Sequence, residues 1–148
     1  MDIAAVKGDG RHRVVVTTED RTAQVAMSDY GTGLPHELAH FVVERAMGIR
    51  FGFWGLLAHG ADLTAVMSFN ARSPRTVSPP TDPLVTEHLD ELLEAERLVA
   101  GLYQLGAGET PDHGVDPVQA AGIRQEIDAL NALWQELAIG EVLRVSWQ

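Results

Sequence analysis

Two histidines and a glutamate stand close together in the segment GLPHELAHFVVERAMG, residues 33–48. His36 and His40 are four positions apart, and Glu37 directly follows the first histidine. On a helix, side chains four positions apart lie on one face, about one turn from each other. Both imidazoles can therefore reach one metal ion, at ~2.1 Å from each coordinating nitrogen. Glu37 lies about 100° further around the helix, where its carboxylate can take a proton from a water that the ion activates.

The segment HELAHFVVE resembles the active-site helix of the zincin metallopeptidases, in which small or apolar residues fill the two middle places of H-E-x-x-H. Leu38 and Ala39 fill those places here. The resemblance implies a zinc ion bound by His36 and His40, with Glu37 as the general base that hydrolyses a peptide bond. The wider stretch GLPHELAHFVVERAMGIRFGFWG resembles an uncharacterised bacterial protein family whose helix carries H-[ED]-x-x-H.

A hydrolytic zinc ion normally has three protein ligands and one open position, so the motif needs a third ligand. The glycine and the third histidine of the longer metzincin motif are absent from their places. We rank Asp62 first, because it lies 22 residues after His40 and the third carboxylate of glutamate-type zincins comes from a later helix. Glu44 ranks second; it reaches the ion only if its side chain folds back, and we expect it instead to steer His40. His59 ranks third.

The composition limits the metal ligands and the partners. The chain has no cysteine, so any metal ligands must be histidine nitrogens or carboxylate oxygens. Zinc is the cofactor that the zincin resemblance implies. Residues 1–80 carry eight basic and eight acidic side chains, whereas residues 81–148 carry three and thirteen, which accounts for the net charge of −10. An acidic surface repels phosphate backbones, so we expect no nucleic-acid partner. The zincin resemblance implies a peptide substrate, with a small molecule as the alternative.

The same sequence gives no sign of a membrane protein. No stretch approaches the ~18 consecutive apolar residues that a membrane helix needs. The first residues, MDIAAVKGDG, lack the basic start and apolar core of a secretory signal. We therefore expect a cytoplasmic protein with no membrane partner.

The motif is expected to lie in an α+β fold that forms one domain over residues 1–148. RHRVVVTTED and RTAQVAMSDYG predict a β-hairpin around a turn at Glu19–Asp20–Arg21. The motif helix should begin at Pro35 and run to Met47, with Gly48 as its left-handed stop. FGFWGLLAHGADL predicts a bend and a short helical turn that stops at Gly60, and LTAVMSF a strand or extended segment.

The second half of the chain should be mainly helical. Residues 1–70 hold the hairpin and the motif helix, and residues 71–83 are a proline-rich connector. Two helices with apolar stripes begin at Asp82–Pro83 and Asp116–Pro117. The glycine-rich GAGETPDHGV joins them into an antiparallel helical hairpin. EVLRVSWQ predicts a final strand that joins the N-terminal hairpin as an edge.

Each motif also has a purely structural interpretation. The motif helix carries Leu38, Phe41 and Val42, so it is a core element whose histidines can be satisfied by backbone or carboxylate groups. DYGTGLP is either an anion-binding nest or only a strand-to-helix turn, and FGFWG either lines a cleft or fills the core beneath a bend.

The alternative function is thus a non-catalytic domain that binds another protein or a second copy of itself. In that domain the H-E-x-x-H helix is structural or is stabilised by a metal ion (metal-stapled). A small-molecule hydrolase or a metal-dependent sensor is a third hypothesis.

Overall fold

The computed structural model describes residues 1–26, 33–68, 82–103 and 114–148. The fold is α+β, as predicted: an antiparallel sheet of N-terminal strands, several helices, and a last helix followed by a final strand. Three predicted loop segments lie partly outside the described residues: residues 71–81 of the connector, residues 106–113 of GAGETPDHGV and residues 29–32 of DYGTG. In chain order the elements are β1 (Asp2–Val6), β2 (Arg13–Thr17), β3 (Thr22–Ala26), α1 (His36–Met47), α2 (Phe53–Ala58), α3 (Leu63–Ser68), α4 (Pro83–Glu87), α5 (Leu89–Tyr103), α6 (Pro117–Glu136) and β4 (Val142–Ser146).

The sheet has four strands in the order β3-β2-β1-β4, all antiparallel. Strands β2 and β3 are the predicted hairpin, closed by a hydrogen bond from the Thr18 N–H to the Arg21 carbonyl. Strand β1 was not predicted, because its alanines have little strand preference by themselves. Ile3 of β1 lies opposite Val16 on one side and Val145 on the other. The final strand is therefore an outer strand, as predicted, but its partner is β1 rather than the hairpin.

One face of the sheet contributes to a core shared with the helices. Ile3 and Ala5 lie opposite Val16 and Val14 in the register, and all four side chains are buried. They belong to the same buried cluster as the interior residues of the helices. This arrangement is the two-layer solution expected when a sheet and a set of helices each have one apolar side.

Helix α1 has the predicted bounds to within one residue. Pro35 precedes it with an extended backbone, and Gly48 ends it at a left-handed φ of 67°, the conformation that favours glycine after a helix. Every residue from Glu37 to Glu44 is buried, because α2, α5 and α6 all contact this helix. Its polar side chains must therefore find partners inside the protein.

The segment LTAVMS is helical, so the predicted strand or extended segment was wrong. Leu63–Ser68 forms α3, and the Asp62 carboxylate accepts a hydrogen bond from the Ala65 N–H at 3.0 Å. Leu63 and Val66 are buried, at a spacing of three that suits one helix face. A short apolar segment does not separate helix from strand by its pattern, and here the aspartate cap decided the outcome.

The two later helices begin where their Asp–Pro pairs predicted. Asp82 accepts a hydrogen bond from the Leu84 N–H, and Asp116 accepts from the Val118 and Gln119 N–H groups. The first of the two predicted helices is divided at His88 into α4 and α5. Helices α5 and α6 contact each other. None of the described helices combines the length and apolar character needed to cross a bilayer.

Gly55 marks a close approach that should be sensitive to substitution. A Cβ at Gly55 would lie 2.0 Å from the Arg50 carbonyl oxygen, so the backbone would have to shift. We expect Gly55→Ala to lower the free energy of unfolding by about 1–3 kcal/mol, the usual effect of overpacking. At Gly122 in α6, a Cβ would meet no described atom within 4 Å. Gly122→Ala should therefore raise the free energy of unfolding by roughly 0.5–1 kcal/mol. Urea denaturation measures the free energy of unfolding of both variants. Equal changes at the two glycines would contradict the close contact between Gly55 and the Arg50 carbonyl.

Candidate metal centre

Three side chains from two helices converge on one point. His36 and His40 of α1 and Glu96 of α5 each bring one ligand atom to a group whose atoms all lie within 4.8 Å of one another. The Nε2 atoms of the two histidines are 3.1 Å apart. One Glu96 oxygen lies 3.3 Å from Nε2 of His36, and the other lies 3.3 Å from Nε2 of His40. Two imidazole nitrogens and a carboxylate oxygen are a ligand set typical of hydrolytic zinc sites.

The sequence of α5 explains why Glu96 faces this group. Glu96 lies four residues after Leu92 and three before Val99, and both of these side chains are buried. The apolar stripe that packs α5 against α1 therefore carries Glu96 on the same side. At the end of α5, the Tyr103 hydroxyl donates a hydrogen bond to the Leu34 carbonyl, two residues before the first histidine. This bond ties α5 to the segment that leads into α1.

Glu44 contacts the other nitrogen of the His40 ring. Its Oε1 lies 2.9 Å from Nδ1 of His40, and both side chains are fully buried. A carboxylate can only accept here, so Nδ1 is the donor, and Nε2 is the nitrogen that faces His36 and Glu96. Glu44 is thus outside the group that could hold an ion and lies where a residue that orients His40 would lie.

The structure does not bring Asp62, the first-ranked third ligand, to this group. Asp62 is exposed, and its carboxylate caps α3 through the Ala65 N–H. His59 is also exposed, and its Nδ1 lies 2.8 Å from the Gly55 carbonyl oxygen. The carboxylate that joins the two histidines is instead Glu96.

Glu96 was missed because it is 56 residues beyond His40 and lies on a helix rich in acidic residues. Nothing in its local sequence resembles a metal motif. The one available signal was its place on the apolar face, since most carboxylates on such a helix lie on the solvated side. That signal identifies an acidic residue that is partly buried, but not its partner.

Glu37 is buried without full hydrogen bonding. Its residue is 1% exposed, and its Oε2 accepts no hydrogen bond from any residue in the described ranges. Burial raises the pKa of this carboxyl; its backbone hydrogen bond and the nearby histidines oppose the rise, and the pKa remains above its ordinary value. The Trp54 indole N–H donates to the Glu37 carbonyl at 2.7 Å. This bond fixes the backbone from which the unsatisfied carboxyl projects.

Contact between His40 and Glu96 shifts their pKa values in opposite directions. Burial by itself lowers the pKa of His40, but hydrogen bonds to Glu44 and Glu96 outweigh it and raise the pKa to about 9. Burial likewise raises the pKa of Glu96, and hydrogen bonds to the two histidines outweigh it, which lowers the pKa to about 2. At neutral pH these shifts favour a protonated His40 beside an ionised Glu96, and a bound cation would supply the same positive charge.

The chain matches no known protein family, no curated protein and no solved structure. The zincin resemblance of the motif helix consequently remains a hypothesis. Its support is local sequence together with the geometry around Glu96.

The stability of the metal-free protein should depend on the protonation of His40. The folded pKa of about 9 exceeds the ordinary value of 6.5, so the stabilisation is complete below pH 6.5 and is lost as the pH rises through 9. We expect the free energy of unfolding, measured with urea and a chelator, to fall over this interval. His40→Gln should remove most of that dependence, whereas His88→Gln, outside the group, should retain it. A wild-type curve that rises over the same interval would contradict the assigned proton.

Proposed function

We propose that this protein is a zinc-dependent hydrolase with a zincin-like centre, in which His36, His40 and Glu96 hold the ion. The observation that supports this most is the position of Glu96. A carboxylate from a separate helix meets both histidine Nε2 atoms at 3.3 Å, and a later helix likewise supplies the third carboxylate in glutamate-type zincins. The contact of Glu44 with Nδ1 of His40 adds the outer hydrogen bond that zinc-binding histidines usually make.

The donor set fits zinc. Imidazole nitrogen and carboxylate oxygen are both common zinc ligands, and the charge that a cation would bring is already supplied by a proton in the metal-free group. A zinc ion at this place would supply Lewis acidity, which polarises a carbonyl group and makes water a stronger acid. The three ligands would hold the ion, and the burial of His40 would limit the exposure of the ion to bulk water.

Glu37 is the residue we assign to proton transfer. Its Oε2 is buried and has no described partner, so it is free to accept a proton from an attacking water and later deliver it to a leaving group. The raised pKa, caused mainly by burial, makes the carboxylate a stronger base than an exposed glutamate. The proposed substrate is a peptide. A small-molecule amide or ester would be hydrolysed by the same reaction.

The burial of α1 favours a second candidate, a non-catalytic domain that is stapled by the ion. His40 and Glu37 are at most 1% exposed, and the side chains of His36 and Glu96 are only 14% and 17% exposed. Such a site resembles a closed structural centre more than an open cleft. In this candidate, the ion joins α1 to α5, and the protein acts by binding another protein. The two candidates share the ion and differ in the role of Glu37.

Zinc content tests what both candidates share. Protein purified without a histidine tag should hold one zinc ion per chain, and the ion should raise the midpoint of thermal unfolding because it binds only the folded state. His40→Ala and Glu96→Gln should each abolish stoichiometric binding, whereas Asp62→Asn should retain it. Elemental analysis and calorimetry measure these outcomes. Loss of zinc in Asp62→Asn with retention in Glu96→Gln would contradict the assigned ligands.

Glu37→Gln separates catalysis from stapling. The amide has nearly the same shape as the carboxyl but cannot accept the proton, so the variant should keep its zinc and lose about 10²–10⁴-fold in kcat. Hydrolysis of a peptide library, followed by mass spectrometry, measures the activity, and zinc-loaded Asp62→Asn serves as the active control. If the wild type and Glu37→Gln both hold zinc and show the same cleavage of every peptide, the non-catalytic domain is the correct candidate.

A further inference from the structure

The carboxylate of Glu44 joins α1 to the start of α2. Its Oε1 lies 2.7 Å from the Phe53 N–H nitrogen and 2.9 Å from Nδ1 of His40, and its Oε2 lies 3.0 Å from the Trp54 N–H nitrogen. The side chain is fully buried. Three protein donors thus satisfy this carboxylate in a place that water does not reach. Such a group is held in one orientation far more firmly than an exposed side chain.

Gly52 provides the space that this arrangement needs. A Cβ at Gly52 would lie 2.4 Å from the Glu44 carboxyl carbon and 2.7 Å from each of its oxygens. The φ of Gly52 is −75°, a value open to any residue. Glycine is therefore required for the close approach of Glu44 and not for an unusual backbone. The segment FGFWG, residues 51–55, thus forms a binding site for the Glu44 carboxylate, which we call the carboxylate receptor. Gly52 leaves room for the carboxylate, and the N–H groups of Phe53 and Trp54 donate to it.

We propose that Glu44 is a positioning residue of the metal centre and that residues 52–54 hold it in place. The receptor fixes Glu44, Glu44 fixes the proton on Nδ1 of His40, and Nε2 is thereby directed at His36 and Glu96. The Phe53 ring also packs on the His40 ring, with centroids 5.7 Å apart. Metal binding and the docking of α2 are coupled, because one carboxylate takes part in both. This inference rests on the proposed zinc centre.

A merely structural role predicts a different result. If Glu44 only satisfies the first N–H groups of α2, its loss lowers stability and leaves the metal affinity unchanged. If it positions His40, its loss also weakens metal binding, typically by 10–100-fold for a residue that hydrogen bonds to a ligand. Gly52→Ala should have the same effect although Gly52 contacts no ligand, because the new Cβ displaces Glu44.

The experiment compares zinc affinity in four proteins by competition with a chromogenic chelator. Glu44→Gln and Gly52→Ala should each bind zinc 10–100-fold more weakly than wild type, and the double variant should be little weaker than either one. The matched control is Asp116→Ala, which removes a carboxylate that accepts two N–H groups at the start of α6. It should lose about 1 kcal/mol of stability and keep the wild-type zinc affinity. The absorption bands of the cobalt-substituted proteins report whether the coordination geometry changes with the affinity.

A measurement on wild type keeps the inference testable if the variants do not fold. Nitrogen-15 NMR of the zinc-loaded protein should show His40 protonated at Nδ1 and bound to zinc through Nε2. Coordination through Nδ1 would overturn the inference, and so would wild-type affinity in both Glu44→Gln and Gly52→Ala. In either case the proposed zinc centre stands. A wild-type chain that binds no zinc overturns the proposed function together with this inference.

Discussion

The structure depends on one constraint: α1 is buried from Glu37 to Glu44, and this buried part carries ionisable side chains. Each buried carboxyl or imidazole loses the hydration it had in the unfolded chain and must recover it from protein partners. His40 does so through Glu44 and Glu96, and Glu44 through two backbone N–H groups of α2. These contacts dictate where α2 and α5 lie relative to α1. Apolar packing holds the helices together, and the polar contacts select one relative position among those that packing allows.

The local features of the fold could be predicted from sequence because their causes are local. Gly48 ends α1 through its own backbone conformation, and the Asp–Pro pairs start helices through a cap only two or three residues long. The pairing of His36 with His40 belongs to the same class, since it follows from helix geometry alone. In contrast, β1 and α3 were missed or misassigned. Their short segments have weak preferences, and their state was decided by pairing with β2 and β4 or by a cap from Asp62.

The third carboxylate could not be predicted because its cause is not local. Glu96 is one of many acidic residues in the second half of the chain, and its role follows from the packing of α5 on α1. The spacing argument that favoured Asp62 assumed a short connection between the motif helix and the next ligand. Here α2, α3 and α4 intervene, so a helix much later in the chain packs beside the histidines. A pattern in sequence can identify two candidate ligands on one helix, but only the fold identifies the third candidate.

The difference between a catalytic centre and a structural staple rests on Glu37. Among the described residues, Glu37 Oε2 is the one buried side-chain atom of this kind that no hydrogen bond satisfies. A staple needs the two histidines and Glu96 and gains nothing from an additional buried carboxyl, which costs stability in the metal-free fold. Buried groups left unsatisfied in otherwise well-paired proteins are concentrated at functional sites, where a substrate or water completes them. Glu37 is near enough to His36 and His40 for their charges to lower its pKa, so its unsatisfied oxygen favours a hydrolase over a staple, even though the helix that carries it belongs to the core.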